Sequence, residues 1–144
     1  MSLTSNSYFI FSGTKQVGRH PIEDRSALPK PVLVLPPGVR PLGPWQIEPT
    51  SPGRYKLRAL GAPTAEDRGL VWAFLMGEDR DYDWLITSRG DDYYTVEKGR
   101  GVGWVATCEE EHNGTQIAVR PLISAERDDQ LFRFIPADRY ENTD

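Results

Sequence analysis

An all-β fold is what this sequence predicts, on three counts. Short stretches alternate apolar with polar residues, as in Tyr8-Phe9-Ile10-Phe11, Arg54-Tyr55-Lys56-Leu57 and Tyr93-Tyr94-Thr95-Val96. Period-two alternation of aromatic and β-branched residues marks half-buried strands. Next, 13 Gly and 12 Pro in 144 residues break the chain often, and no twelve-residue window keeps apolar positions at helical spacing with caps. Last, the strands recur in a fixed order. An aromatic-x-aliphatic strand opens each unit at Tyr8, Tyr55 and Tyr94, 47 and 39 residues apart. A second closes each unit at Trp45, Trp84 and Phe132, 39 and 48 residues apart. Threefold recurrence of four short strands predicts a β-trefoil, a six-stranded barrel with a hairpin cap. A β-sandwich is the runner-up, but it would not require a threefold repeat.

The expected domain is one, spanning residues 1–144, with repeats at roughly 7–53, 54–91 and 92–138. In the first repeat the strand at Tyr8 is followed by strands over 16–19 and 32–35, then by Trp45-Gln46-Ile47. The second runs from Arg54 through 62–64 and 71–76 to Trp84-Leu85-Ile86. The third starts at Tyr93 and passes through 103–106 and 116–120 to Phe132-Arg133-Phe134. Ile10, Trp45, Leu57, Trp84, Val96 and Phe132 are the expected lining of the barrel core. Closing a sheet also removes the free edges that promote aggregation. The longest irregular stretches, 20–31, 36–44 and 123–130, are where a rigid scaffold places binding residues.

Chemistry is sparse. A net charge of −4, from 17 Lys+Arg against 21 Asp+Glu, argues against nucleic acid as a partner. The opening Met1-Ser2-Leu3-Thr4-Ser5-Asn6-Ser7 lacks a basic and an apolar region, so it does not read as a secretory signal and a cytoplasmic protein is expected. No apolar run approaches the ~20 residues of a membrane helix, so no membrane partner is expected. Asn113-Gly114-Thr115 spells a glycosylation sequon and reads as a turn. Cys108 stands alone, with no partner for a disulfide or a zinc site. A Cys108–His112 pair is poor nucleophile machinery, because Glu109-Glu110-Glu111 would raise a thiol pKa by like-charge repulsion. His20 lies in no metal-ligand spacing. The acidic pairs Glu23-Asp24, Glu66-Asp67, Glu78-Asp79, Asp91-Asp92 and Asp128-Asp129 read as solvated loop tips rather than general acid/base pairs. Arg89-Gly90-Asp91 reads as the turn between two repeats. No cofactor, no metal and no catalytic constellation is indicated; the chain does not read as an enzyme. The three prolines within 20–31 limit backbone freedom, as suits a loop held extended for a partner.

A long succession of motifs carries a resemblance. Val17-Gly18-Arg19, Glu23-Asp24-Arg25-Ser26-Ala27-Leu28-Pro29-Lys30-Pro31-Val32, Leu35-Pro36-Pro37-Gly38 and Trp45-Gln46-Ile47-Glu48-Pro49 open it. Gly61-Ala62-Pro63-Thr64, Trp84-Leu85-Ile86-Thr87, Tyr94-Thr95-Val96-Glu97-Lys98, Gly103-Trp104-Val105-Ala106 and Val119-Arg120-Pro121-Leu122 continue it in order. Together they resemble the mushroom serine protease inhibitors of the cospin type. The resemblance implies a cytosolic, disulfide-free β-trefoil that inhibits trypsin-like serine proteases, in defence against fungus-feeding animals or in control of endogenous proteases; the chain is expected to be a monomer. It does not carry the reactive residue, because members use different loops.

A trypsin-like S1 pocket takes Arg or Lys, so the P1 candidates are the loop residues Arg25, Lys30, Arg40, Arg89 and Arg127. Pro31 and Pro41 make poor P1′ partners for Lys30 and Arg40, lacking an N–H. Arg89 sits in a short turn. The preferred reactive-site loop is therefore Glu23, Asp24, Arg25, Ser26, Ala27 and Leu28, with Arg25 as P1 and the small Ser26 as P1′. The alternative reactive site is Arg127-Asp128, whose acidic neighbours compete for the guanidinium. Two further readings compete: a β-trefoil lectin, although no Gln-x-Trp occurs at the repeat ends, and a cysteine-protease inhibitor acting through another loop.

Overall fold

The computed structural model describes residues 3–4, 6–76, 80–107, 113–123 and 127–141. Strand dominates it. In chain order the strands are β1 (Asn6–Ser12), β2 (Lys15–Gly18), β3 (Lys30–Pro31), β4 (Leu33–Val34), β5 (Trp45–Ser51), β6 (Arg54–Ala59) and β7 (Ala62–Asp67). They continue as β8 (Leu70–Ala73), β9 (Asp83–Ser88), β10 (Tyr93–Gly99), β11 (Val102–Val105), β12 (Thr115–Gln116), β13 (Ala118–Pro121) and β14 (Phe132–Pro136). Helix among the described residues is confined to a 3₁₀ turn, Asp128–Gln130, and to α1 (Ala137–Glu141). No helix there is long and apolar enough to cross a membrane.

Alternation in sequence becomes alternation in burial. Along β6, Tyr55, Leu57 and Ala59 are buried while Arg54, Lys56 and Arg58 are not, the period of two that a pleated strand imposes. The Pro52-Gly53 turn joins β5 to β6, with Gly53 at φ 76°. Pro49 falls where the β5–β6 register slips by one residue, a bulge that tolerates its missing N–H.

The pairings close into a barrel. β1 pairs β5, β5 pairs β6, and β6 pairs β9. Then β9 pairs β10, β10 pairs β14, and β14 returns to β1. Every strand of that circuit has two neighbours, so none presents a free edge along its paired stretch.

Inside, the expected lining is buried: Ile10, Leu57, Val96 and Phe132 have no exposed surface, and Trp45 and Trp84 have 1%. The indole nitrogens explain which way the tryptophans point. Trp45 Nε1 donates to the Val17 carbonyl at 2.8 Å, and Trp84 Nε1 donates to the Thr64 carbonyl at 3.1 Å. Trp104, from β11, was not among the expected core residues, yet it fills the centre. Its ring lies 5.9 Å from Trp45, 5.6 Å from Trp84 and 5.5 Å from Phe132, centroid to centroid. Tilted and edge-on contacts of this kind add to the area term of burial.

Two expected strands are broken. Of the stretch 32–35 only Leu33–Val34 is strand, β4, separated from β3 by Val32, and 116–120 is divided between β12 and β13 on either side of Ile117. The reason is a three-way exchange of backbone hydrogen bonds. Val32 N–H donates to Val71 O at 3.1 Å, Val71 N–H to Ile117 O at 3.0 Å, and Ile117 N–H to Val32 O at 2.9 Å. At those residues the chain leaves two-strand pairing for a junction of three segments. The strand expected over 71–76 stops at Ala73, and Phe74 N–H bonds Pro63 O at 2.9 Å instead.

Candidate functional site

The chain leaves β2 at Gly18, where an added Cβ would lie 3.1 Å from Pro41, so the base of the following loop is wedged against the 36–44 stretch. Arg19 comes next and is 8% exposed. Its Nη1 donates to the Ala59 carbonyl at 2.9 Å, while Nε and Nη2 donate to the two carboxylate oxygens of Glu23 at 3.0 and 2.7 Å. A forked guanidinium–carboxylate pair fixes direction as well as distance. Ile22 N–H donates to His20 Nδ1 at 3.0 Å and tightens the turn between them.

From Asp24 onward the loop is stitched by short side chains. Asp24 Oδ1 accepts from Ser26 N–H at 2.9 Å and from the Ser26 hydroxyl, the Asx-turn arrangement that Asp-x-Ser favours. Ser26 Oγ accepts from Leu28 N–H at 3.3 Å.

Beneath this lies Lys30, in β3 and only 4% exposed. Its ammonium donates to Asp24 O at 3.2 Å, to Asp24 Oδ1 at 2.5 Å and to Ser26 Oγ at 3.2 Å. Three donors meet three acceptors, and both lone pairs and the proton of the Ser26 hydroxyl are used. The hydrogen bond from Lys30, then those from the Ser26 hydroxyl and amide, hold the Asp24 carboxyl well below the usual carboxylate range.

Between the tied residues Asp24 and Ser26 stands Arg25, exposed and with no hydrogen-bond or ion-pair partner among the described residues. Ala27 and Leu28 are also exposed, Leu28 by 67%. The preferred loop is thus a convex ridge with a free guanidinium at its crest and its flanks held from inside. A cavity of about 520 Å³, lined in part by Lys15, Val34, Pro36, Thr107 and Asp129, includes none of these loop residues.

The other basic candidates are differently placed. Arg127 begins the 3₁₀ turn with extended backbone, φ −73° and ψ 132°, and its Nη2 and Nε donate to Asp129 at 3.0 and 3.2 Å. That guanidinium is already engaged; Asp128 beside it is exposed, and residues 124–126 of the same loop lie outside the described residues. Arg89 Nε donates to Thr95 Oγ1 at 3.1 Å. Arg40 is exposed, ahead of Pro41. Lys30, already set aside on sequence because Pro31 follows it, is also buried, 4% exposed.

The acidic pairs need correction. Glu23 and Asp24 tie down a loop, Glu66 takes Lys98 at 2.6 Å, and Asp92 takes Arg139 at 2.8 Å, so these carboxylates are structural rather than only solvating. Glu78-Asp79, and the Cys108, Glu109-Glu110-Glu111 and His112 stretch, lie outside the described residues. Among the described residues no cluster of three His, Cys, Asp or Glu is placed to hold a metal. What sequence reasoning missed is Lys30 as a brace and Arg19 as an anchor. The Asp-x-Ser spacing was the available signal for the turn; nothing local pointed to the lysine.

Comparisons with known proteins bear on the family and the fold. The family described as peptidase inhibitor I66 matches residues 1–136. A serine protease inhibitor of Lentinula edodes is 35% identical over 125 residues, 85% of this chain and 85% of that protein. The solved structure of a proteinase inhibitor from Coprinopsis cinerea matches with a TM-score of 0.83 at 32% identity, covering 94% of this chain and all of the other. A designed threefold-symmetric protein, ThreeFoil, matches with a TM-score of 0.67 over 90% of this chain and 97% of its own. At 17% identity that last likeness concerns the fold alone, which is β-trefoil-like.

Proposed function

The chain belongs to the peptidase inhibitor I66 family, and from that premise we propose that it blocks trypsin-like serine proteases by offering Arg25-Ser26 as a substrate-like bond. The chain is an inhibitor of proteases, not an enzyme. One observation carries the finer reading: Arg25 is exposed and has no partner among the described residues, while the residues on both sides of it are tied to the scaffold. A P1 side chain must enter the S1 pocket while the scissile carbonyl points to the oxyanion hole. A loop already held in shape loses little freedom on binding. Complexes of this kind bury roughly 1,600 Å² in total and depend heavily on one anchor.

The scaffold belongs to the same proposal: three four-strand repeats, with β1, β5, β6, β9, β10 and β14 as the barrel. The closed circuit of pairings and the three-way exchange at Val32, Val71 and Ile117 support it. The proposed inhibitor is a monomer binding one protease, in defence or in control of endogenous proteases. Prolonged incubation with trypsin at mildly acid pH tests the site directly. Slow cleavage at Arg25-Ser26 alone is the expected result; cleavage after Arg127 would move the site, and strong binding to glycans without protease inhibition would replace the reading with a lectin.

A further inference from the structure

The ammonium of Lys30 joins the two sides of the bond that the protease would cut. On one side it holds Asp24 through both backbone and side chain; on the other it holds Ser26 through its hydroxyl. It does so from β3, whose Lys30 pairs with Ala73 of β8 and whose neighbour Pro31 pairs with Trp72. The brace is therefore part of the sheet rather than of the loop.

We propose that Lys30 is the positioning residue that makes this loop an inhibitor rather than a substrate, by keeping both ends of the cleaved Arg25-Ser26 bond within reach of each other. The inference rests on the reading of Arg25 as P1. In the forward step the protease serine oxygen attacks the Arg25 carbonyl carbon. The C–N bond to Ser26 breaks, and the proton passes through the protease histidine to the departing Ser26 amine, leaving an acyl-enzyme. In the reverse step the Ser26 amine attacks the acyl carbon, the serine oxygen leaves with a proton, and the peptide bond is restored. Which step dominates depends on whether the amine stays at the acyl group or diffuses away and lets water in. Holding two reacting groups together raises their effective concentration by orders of magnitude. Lys30 supplies that hold: the new amine would belong to the residue whose hydroxyl it binds, and the acyl group to the residue following the one whose carbonyl it binds. Arg19, gripping Glu23 and Ala59, anchors the upstream end a second time, whereas among the described residues no comparable ion pair reaches Ser26 or Ala27.

Lys30→Met keeps an unbranched side chain, one heavy atom shorter, and removes all three hydrogen bonds. The intact full chain and this variant are each incubated with trypsin, following residual protease activity with time and the ratio of cleaved to intact inhibitor at equilibrium. The expected result is that Lys30→Met inhibits at first, then loses inhibition as it is cleaved at Arg25-Ser26, with at least a tenfold rise in the cleaved-to-intact ratio. Lys30→Arg, which keeps the charge and several donors, should recover part of the persistence. Ser26→Ala leaves the buried lysine in place and keeps P1′ small, so it serves if Lys30→Met fails to fold; it too should raise the ratio. Persistent inhibition and an unchanged ratio in folded Lys30→Met, or in Ser26→Ala if Lys30→Met fails to fold, would overturn the proposal. Arg25→Glu separates the two failures: if it still inhibits like the parent, the site reading itself falls, whatever Lys30 does.

Discussion

At the scale of single residues Arg25 stands exposed while Asp24 and Ser26 on either side of it are held by Lys30. Arg25 carries no structural duty, so Arg25→Glu should leave the melting temperature unchanged and weaken trypsin inhibition at least a hundredfold, in line with hot-spot losses of about 2–8 kcal/mol. Arg127→Glu, whose parent side chain is already paired with Asp129, should inhibit as the parent does; the opposite pattern in measured inhibition constants would place the site near the C-terminus. Asp24 gives a pH signature. Its folded-state pKa is depressed by Lys30 first and Ser26 next, so the hold on the loop is fully present above the ordinary carboxylate pKa of about 3.9. It is lost only as pH falls through the lower folded value. Carboxyl chemical shifts of Asp24 should therefore titrate well below pH 3.9, and Lys30→Met should bring that midpoint back up. A parent midpoint at the ordinary value would show that the pair is not formed in solution.

Elements were legible to different degrees, and the differences have causes. The opening and closing strands could be placed from the sequence because their alternation reports one buried face, a property each strand carries by itself. The hydrogen-bond partners that orient Trp45 and Trp84 could not, since they are carbonyls of Val17 and Thr64 in other strands. Nor could the interruptions at Val32 and Ile117, whose hydrogen-bond partners lie on segments dozens of residues away. Arg25 could be singled out because a lone base beside a small residue in a proline-bounded loop is a local pattern; the burial of Lys30 could not be read, because it depends on the pairing of β3 with β8. One junction between elements is tight enough to test. At Gly114, φ is +117° and an added Cβ would collide with the Val34 carbonyl, just where β4 pairs β12. Gly114→Ala should cost on the order of 1–3 kcal/mol in urea unfolding. Gly61→Ala, with φ +85° but open space around the new methyl, should cost less. Equal losses would mean that strain in φ, rather than the collision, sets the penalty.

For the molecule as a whole, the aromatic hub and the closed circuit of strands make the interior a shared structure. Trp104 touches the rings of Trp45, Trp84 and Phe132, which come from β5, β9 and β14, and each of those strands pairs with two others in the circuit. A loop on such a base is disturbed little by events at its crest, which is why substitutions at Arg25 should be silent in stability. The ring of bonds through Val32, Val71 and Ile117 has a consequence that reaches beyond geometry: it works as a clock for the entire chain. All three residues are fully buried, and each segment takes part in two of the three bonds. If the segments part only together, their protons should trade for deuterium in one event, when everything opens at once. In low denaturant the three rates should converge and yield the free energy of global unfolding. Val32 and Ile117 amides that exchanged orders of magnitude sooner than that of Val71 would reveal that the first part of the chain, and with it the loop proposed to meet the protease, can come away alone.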